Sequence, residues 1–283
     1  FFLGIDFTNF NKLHVFKNLL SKTLTKLNNH NIKDLSLINL IYAGAFIESK
    51  KSTYYSIKKV EKLFSIHNSV LPVTNENCYL SAIRENGRIL YDEASIVEIR
   101  SNEVIKRIFI TKKKLKQINE TIPFFQKIKL IEKKSYFPIL NSQLSKKISR
   151  CDLIIFGPGT QHSSLFPSYL TKGILKEMMK NPKCKKIFIT NIGADYETPH
   201  FCSSDYIENA AKYLNLGSKS NYKSSEIFDF NFININKNNL DRVYIDELTF
   251  NNGINNIVKN FESSNSPGYH DPKKIYDLIK KII

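Results

Sequence analysis

No window of the 283-residue chain approaches the run of about 18 apolar residues that a membrane-spanning helix needs. Cysteine is scarce: Cys78, Cys151, Cys184 and Cys202 show no CxxC spacing, which excludes a zinc ribbon and a dense disulfide framework. That usage fits a reducing compartment, so a cytoplasmic location is the expectation. No GxSxG elbow, HExxH pair, Walker loop or GxGxxG fingerprint occurs, and no internal repeat. Acidic residues are few, 26 against 42 Lys and Arg, for a formal net charge of +16. Such a field attracts polyanions. The lysines are spread along the whole chain beside abundant Asn and Ile, and aromatic and basic residues do not interleave, which argues against a nucleic-acid groove.

What is present is a large apolar inventory, 42% of residues, ample for a packed core. Leu13, Phe16, Leu19, Leu20, Leu24 and Leu27 recur at helical spacing over 12–28, and further helices are expected over 35–48 and 53–65. A short strand is expected over 70–73. Strands over 79–83 and 88–91 flank Asn86-Gly87, a hairpin signal because both residues tolerate positive φ. A strand follows over 104–110. The Lys-rich stretch 112–134, with Pro123 inside it, reads as a surface insertion. From 139 onward helix and strand alternate: a helix over 139–149, strands over 152–156 and 185–191, and a helix within 164–180 between them. That is a parallel crossover unit. A helix over 204–214, strands over 226–236 and 242–246, and a helix over 272–282 complete the pattern. The expectation is one α/β domain over 1–283, Rossmann-like and three-layered, with a mostly parallel central sheet and a β-hairpin region.

Chemistry concentrates where the 152–156 strand ends in Gly157-Pro158-Gly159-Thr160, followed by Gln161, His162, Ser163 and Ser164. In an open parallel sheet, ligands bind beyond the C-terminal strand ends. Glycine lets backbone N–H groups approach an oxyanion, a helix N-terminus adds unpaired donors, and the hydroxyls supply more. The same residues also suit a tight turn with a capped helix, and residues alone leave the two readings even. His162 is the local candidate for a proton carrier. The next strand ends in Asn191, followed by Asp195, Glu197 and Thr198. Asn191 suits a base, sugar or phosphate. Asp195 and Glu197 are candidate ligands for Mg²⁺, a hard cation that prefers carboxylate and phosphate oxygens. Asp205 reads as a helix-start residue. Thr74 and Asn75 fall at the end of the 70–73 strand. His14 and Asn18, four residues apart, share a helix face.

Taken in order, Val70-Leu71-Pro72-Val73-Thr74-Asn75-Glu76, the Asn86-Gly87 hairpin, Gly157-Pro158-Gly159-Thr160 with Ser163-Ser164, Gly173-Ile174, and Asn191 followed by Glu197-Thr198 resemble the CofD/YvcK family. That family comprises 2-phospho-L-lactate transferases and gluconeogenesis factors. His14-Val15-Phe16-Lys17-Asn18-Leu19 is similar to its Gly-His-x-x-Gly-Asn-Leu segment, with Lys17 where Gly is expected. The resemblance implies a nucleotide or nucleotide-sugar ligand, such as a UDP-sugar, and a role in carbon metabolism or cell-envelope synthesis. Its alternative implication is a Mg²⁺-dependent transfer of a phospho-linked group from a nucleoside-diphosphate donor to an alcohol. The expected partner is therefore a small phosphate-containing molecule, and a homo-oligomer is compatible with it. The family's N-terminal glycine-rich strand-loop and acidic Asp-Asp-Gly segment are not found, so the chain is expected to be the remainder of a longer protein.

Overall fold

The computed structural model describes residues 10–28, 35–67, 69–98, 102–235 and 242–283. The chain falls into two compact units, Phe1–Asn75 and Glu76–Ile283, where the sequence pattern leads one to expect a single domain. Each is described by itself.

The described part of the first unit is helical: α1 (Phe10–Lys26), α2 (Leu37–Glu48) and α3 (Thr53–Leu63). Serines start two of them, Ser36 accepting from the Asn39 N–H and Ser52 from the Tyr55 N–H. Leu19, Ile41, Ala45, Val60 and Leu63 form the core. Gly44 lets α1 and α2 approach closely, because a Cβ there would lie 2.0 Å from the Leu19 carbonyl oxygen. Residues 70–73 form no strand. Pro72 lacks the N–H a ladder needs.

The second unit opens with an antiparallel sheet in the order β2-β1-β3, from β1 (Tyr79–Arg84), β2 (Ile89–Leu90) and β3 (Ile105–Thr111), with α4 (Glu93–Glu98) between the last two. The Asn86-Gly87 turn joins β1 to β2 with Gly87 at φ 84° and its N–H bonded to the Arg84 carbonyl. The 112–134 stretch is not a surface excursion. It holds α5 (Phe124–Glu132), and its Leu115 and Ile131 share a core with Ile83, Ile89 and Phe109. Lys127 is itself buried, its ammonium on the Gly87 carbonyl and the Glu120 carboxylate. Long Lys stems can cover apolar surface, so a Lys-rich composition hid an amphipathic helix.

After α6 (Ser142–Ile148) the parallel sheet begins, in the order β4-β5-β6-β7: β4 (Leu153–Phe156), β5 (Lys185–Ile189), β6 (Phe230–Asn234) and β7 (Asn255–Lys259). Between β4 and β5 run a π-helical turn (Gln161–Leu165), α7 (Phe166–Tyr169) and α8 (Ile174–Met179). Between β5 and β6 lie α9 (Ser203–Ser218) and α10 (Ser224–Ile227). Then α11 (Glu247–Asn251) leads to β7, and α12 (Pro272–Ile282) closes the chain. Ile187, Ile189, Phe232 and Phe261 pack against Ile275, Leu278, Ile279 and Ile282 of α12. Phe188, on the opposite face of β5, meets Phe228 edge-on. The expected strand over 226–236 narrows to β6, and position 236 lies outside the described residues. The expected strand over 242–246 is only two isolated bridges, Gly193 with Arg242 and Cys202 with Tyr244.

Asp246 organises the start of α9. One oxygen accepts from the Ser204 N–H (3.1 Å) and the Thr249 hydroxyl (2.6 Å), the other from the Ser204 hydroxyl (2.7 Å). Burial alone would raise its carboxyl, but the Thr249 and Ser204 hydrogen bonds prevail and hold it at about 2. The stability it supplies is therefore present in full above the unfolded carboxylate value and lost as pH falls toward the folded one. Asp246→Ala is expected to cost about 2 kcal/mol at pH 7. In urea titrations the gap between variant and parent should narrow toward pH 2.5.

Candidate functional site

The C-terminal edge of the parallel sheet carries the candidate site. β4 ends at Phe156, and Gly157, Pro158, Gly159 and Thr160 form the loop beyond it. A Cβ built on Gly157 meets no atom within 4 Å, and one on Gly159 makes only ordinary contact with Leu165. Neither residue has the positive φ that would require glycine. Packing and conformation thus leave both glycines unexplained, and Gly157 faces open space. Thr160 stands before the π-helical turn with no side-chain cap. Its hydroxyl lies 2.7 Å from that of exposed Ser164 and 3.2 Å from that of Ser163.

The second strand end braces this loop. Asn191 clasps Gly159 twice: its amide oxygen accepts the Gly159 N–H at 3.1 Å, and its amide nitrogen donates to the Gly159 carbonyl at 3.0 Å. Glu197, 4% exposed, accepts the Ser163 N–H at 2.9 Å and the Ser163 hydroxyl. Its carboxyl is raised by burial, against the lowering effect of the Ser163 bonds. Asp195 in turn accepts the N–H groups of Glu197 (2.8 Å) and Thr198 (3.0 Å). The neighbouring strand ends predicted to share one cleft are thus joined by hydrogen bonds.

His162 is 2% exposed, edge-on to Phe166, Phe201 and Tyr213, and burial drives its pKa down to about 3. The ring is enclosed by aromatic side chains, with its Nδ1 buried and without a hydrogen-bond partner. Thr198 is fully buried, its hydroxyl 2.8 Å from that of Tyr206. His14, Asn18, Thr74 and Asn75 belong to the first unit. His14 and Asn18 are exposed on α1, with Asn18 donating to Glu48.

The carboxylates do not fit a resident Mg²⁺. Both Glu197 oxygens are held by Ser163, and Asp195 keeps only Oδ2 unpartnered. Among the described residues no three His, Cys, Asp or Glu side chains gather to hold a metal ion.

Sequence reasoning missed Arg242. It lines two cavities beside the sheet edge, one of about 560 Å³ with Asp195, Tyr196 and Tyr244, the other of about 360 Å³ with Asn234 and Lys274. It is ion-paired to Glu262. Only the fold brings residues at or beyond the ends of β5, β6 and β7 to one Arg, and no local motif signals it.

A family model described as 2-phospho-L-lactate transferase CofD matches residues 11–275. The gluconeogenesis factor of Bacillus subtilis (strain 168) is 28% identical over 183 residues, covering 64% of this chain and 49% of that protein. The gluconeogenesis factor of Halalkalibacterium halodurans is 26% identical over 191 residues, covering 67% of this chain and 51% of that protein. The chain thus spans about half the length of these curated relatives. A solved UPF0052-family structure from Bacillus halodurans superposes with a TM-score of 0.67 at 20% identity, covering 94% of this chain and 81% of that one. That likeness bears on fold. No described helix is long and apolar enough to cross a membrane.

Proposed function

Because the chain belongs to the 2-phospho-L-lactate transferase CofD family, we propose that the edge beyond β4 and β5 binds a phosphate-containing small molecule, a nucleotide or nucleotide-sugar. The observation that carries this reading is the open Gly157 position in a loop that Asn191 clasps by two hydrogen bonds. Glycines that the protein itself does not need leave room for a ligand's oxyanion to lie against main chain. The Thr160 and Ser164 hydroxyls supply further donors, and the net charge of +16 favours an anion.

Binding is preferred to group transfer because His162, the one titratable side chain of the loop, is enclosed by Phe166, Phe201 and Tyr213. The site's role is then regulatory, in carbon metabolism or cell-envelope synthesis, in line with relatives named gluconeogenesis factor. A cytoplasmic location is part of the same proposal.

The test is a thermal-shift series on the full-length protein with UDP-sugars, UDP and GDP, each with and without Mg²⁺. A specific ligand raises the midpoint as its concentration passes the Kd. Gly157→Leu is expected to change stability by no more than ~0.5 kcal/mol, since its Cβ meets nothing, and to abolish the ligand-induced rise. If no nucleotide shifts the parent, or the variant responds equally, the proposal fails.

A further inference from the structure

The other end of the parallel sheet brings two thiols together. Cys151 lies two residues before β4 and Cys184 one residue before β5, at the N-terminal edge, away from the glycine loop. Their sulfurs are 3.6 Å apart. Asn181 ties the two backbones, donating from its side chain to the Cys151 carbonyl at 2.8 Å and accepting the Cys184 N–H on its own carbonyl at 3.2 Å. The Lys185 N–H bonds the Asp152 carbonyl at 2.9 Å between them. The fold, rather than chance rotamers, therefore sets the approach. The other cysteines differ: the Cys202 thiol donates to Asp205 at 3.0 Å, and Cys78 lies beside Glu76 and Lys112.

We infer that Cys151 and Cys184 form a reversible oxidation site, closing to an intramolecular disulfide when a low-molecular-weight disulfide such as oxidised glutathione reaches it. The Cys151 thiolate attacks one sulfur of that disulfide, breaking its S–S bond and releasing one glutathione thiolate. Cys184 then gives its proton to water and attacks the Cys151 sulfur, expelling the second glutathione thiolate. Two protein thiols lose two protons and two electrons, and the external disulfide becomes two thiols. Exposure sets the order. Cys151 is half-buried, whereas Cys184 is 1% exposed and its thiol is pushed up to about 11 by burial. Cys184 is thus the resolving partner.

Closure needs the sulfurs to move from 3.6 Å to about 2.05 Å. The bond would enclose the glycine loop, the π-helical turn, α7 and α8. It would restrict the unfolded state of the segment that carries the candidate ligand site.

The experiment incubates the full chain with oxidised glutathione, alkylates free thiols and maps peptides by mass spectrometry without reduction. A linked Cys151–Cys184 peptide is expected, reversible by dithiothreitol, together with a melting midpoint raised by several degrees. Cys184→Ser should stop at one glutathione on Cys151. Cys184→Ala serves the same purpose if the serine is not tolerated in the core. Cys151→Ser should leave Cys184 unmodified. Two free thiols in the parent, a lasting glutathione adduct without the linkage, or no adduct in both Cys184 variants would overturn the inference.

Discussion

Glu197→Ala is expected to lower stability by about 3 kcal/mol and the melting midpoint by roughly 10 °C. The truncation strands the Ser163 N–H and hydroxyl in a buried place and removes the acceptor that the His162 backbone also uses. It further releases the π-helical turn from the β5 end, so any ligand response should vanish with it. Glu197→Gln separates charge from shape. Burial raises the Glu197 carboxyl, so the folded state holds that proton more firmly than the unfolded chain does. The ionised group therefore opposes folding: its unfavourable contribution is absent below the unfolded pKa and grows as pH rises through the folded one. The glutamine should keep the fold and flatten that decline in a series of urea titrations. A Glu197→Ala protein as stable as the parent would show that the loop is not braced from β5.

Gly44→Ala is expected to be the most damaging single-methyl change in the first unit, about 3 kcal/mol. The added carbon would lie 2.0 Å from the Leu19 carbonyl oxygen and 2.6 Å from its carbon, both rigid backbone. The helices must separate, which opens the Leu19, Ile41 and Ala45 core and stretches the Thr23 hydroxyl bond to the Leu40 carbonyl, now 2.7 Å. Hydrogen exchange along α1 and α2 reads the effect locally, without confusion with the second unit. Protection in those helices should fall by two orders of magnitude or so, the equivalent of about 3 kcal/mol. Unchanged protection would mean that α1 and α2 do not pack as described.

The contrast between Gly44 and Gly157 shows where sequence stops. Both read as glycine in a pattern, one inside an apolar helix and one after a strand. Only neighbours in space tell that the first is there for helix contact and the second faces nothing in the protein. His162 is a similar case. Beside Gly-Pro-Gly it suggests proton chemistry, yet Phe166, Phe201 and Tyr213 arrive from later in the chain to enclose it. The Lys-rich 112–134 stretch misled for the opposite reason, since most of its lysines are exposed around a buried Leu115 and Ile131, while Lys127 is itself buried.

Periodicity and punctuation determined the helices of the first unit, the Asn86-Gly87 hairpin, the alternation that builds β4, β5 and β6, and the loop after β4, because each is written in residues close along the chain; β7 (Asn255–Lys259) was not expected from the sequence. Which loop groups are engaged and which face outward was decided only by tertiary structure. Asn191 lies 32 residues from Gly159, and Glu197 34 from Ser163. Such pairs form only once strands from separate segments are laid side by side, and the hydrogen bonds they then satisfy depend on that register rather than on local pattern.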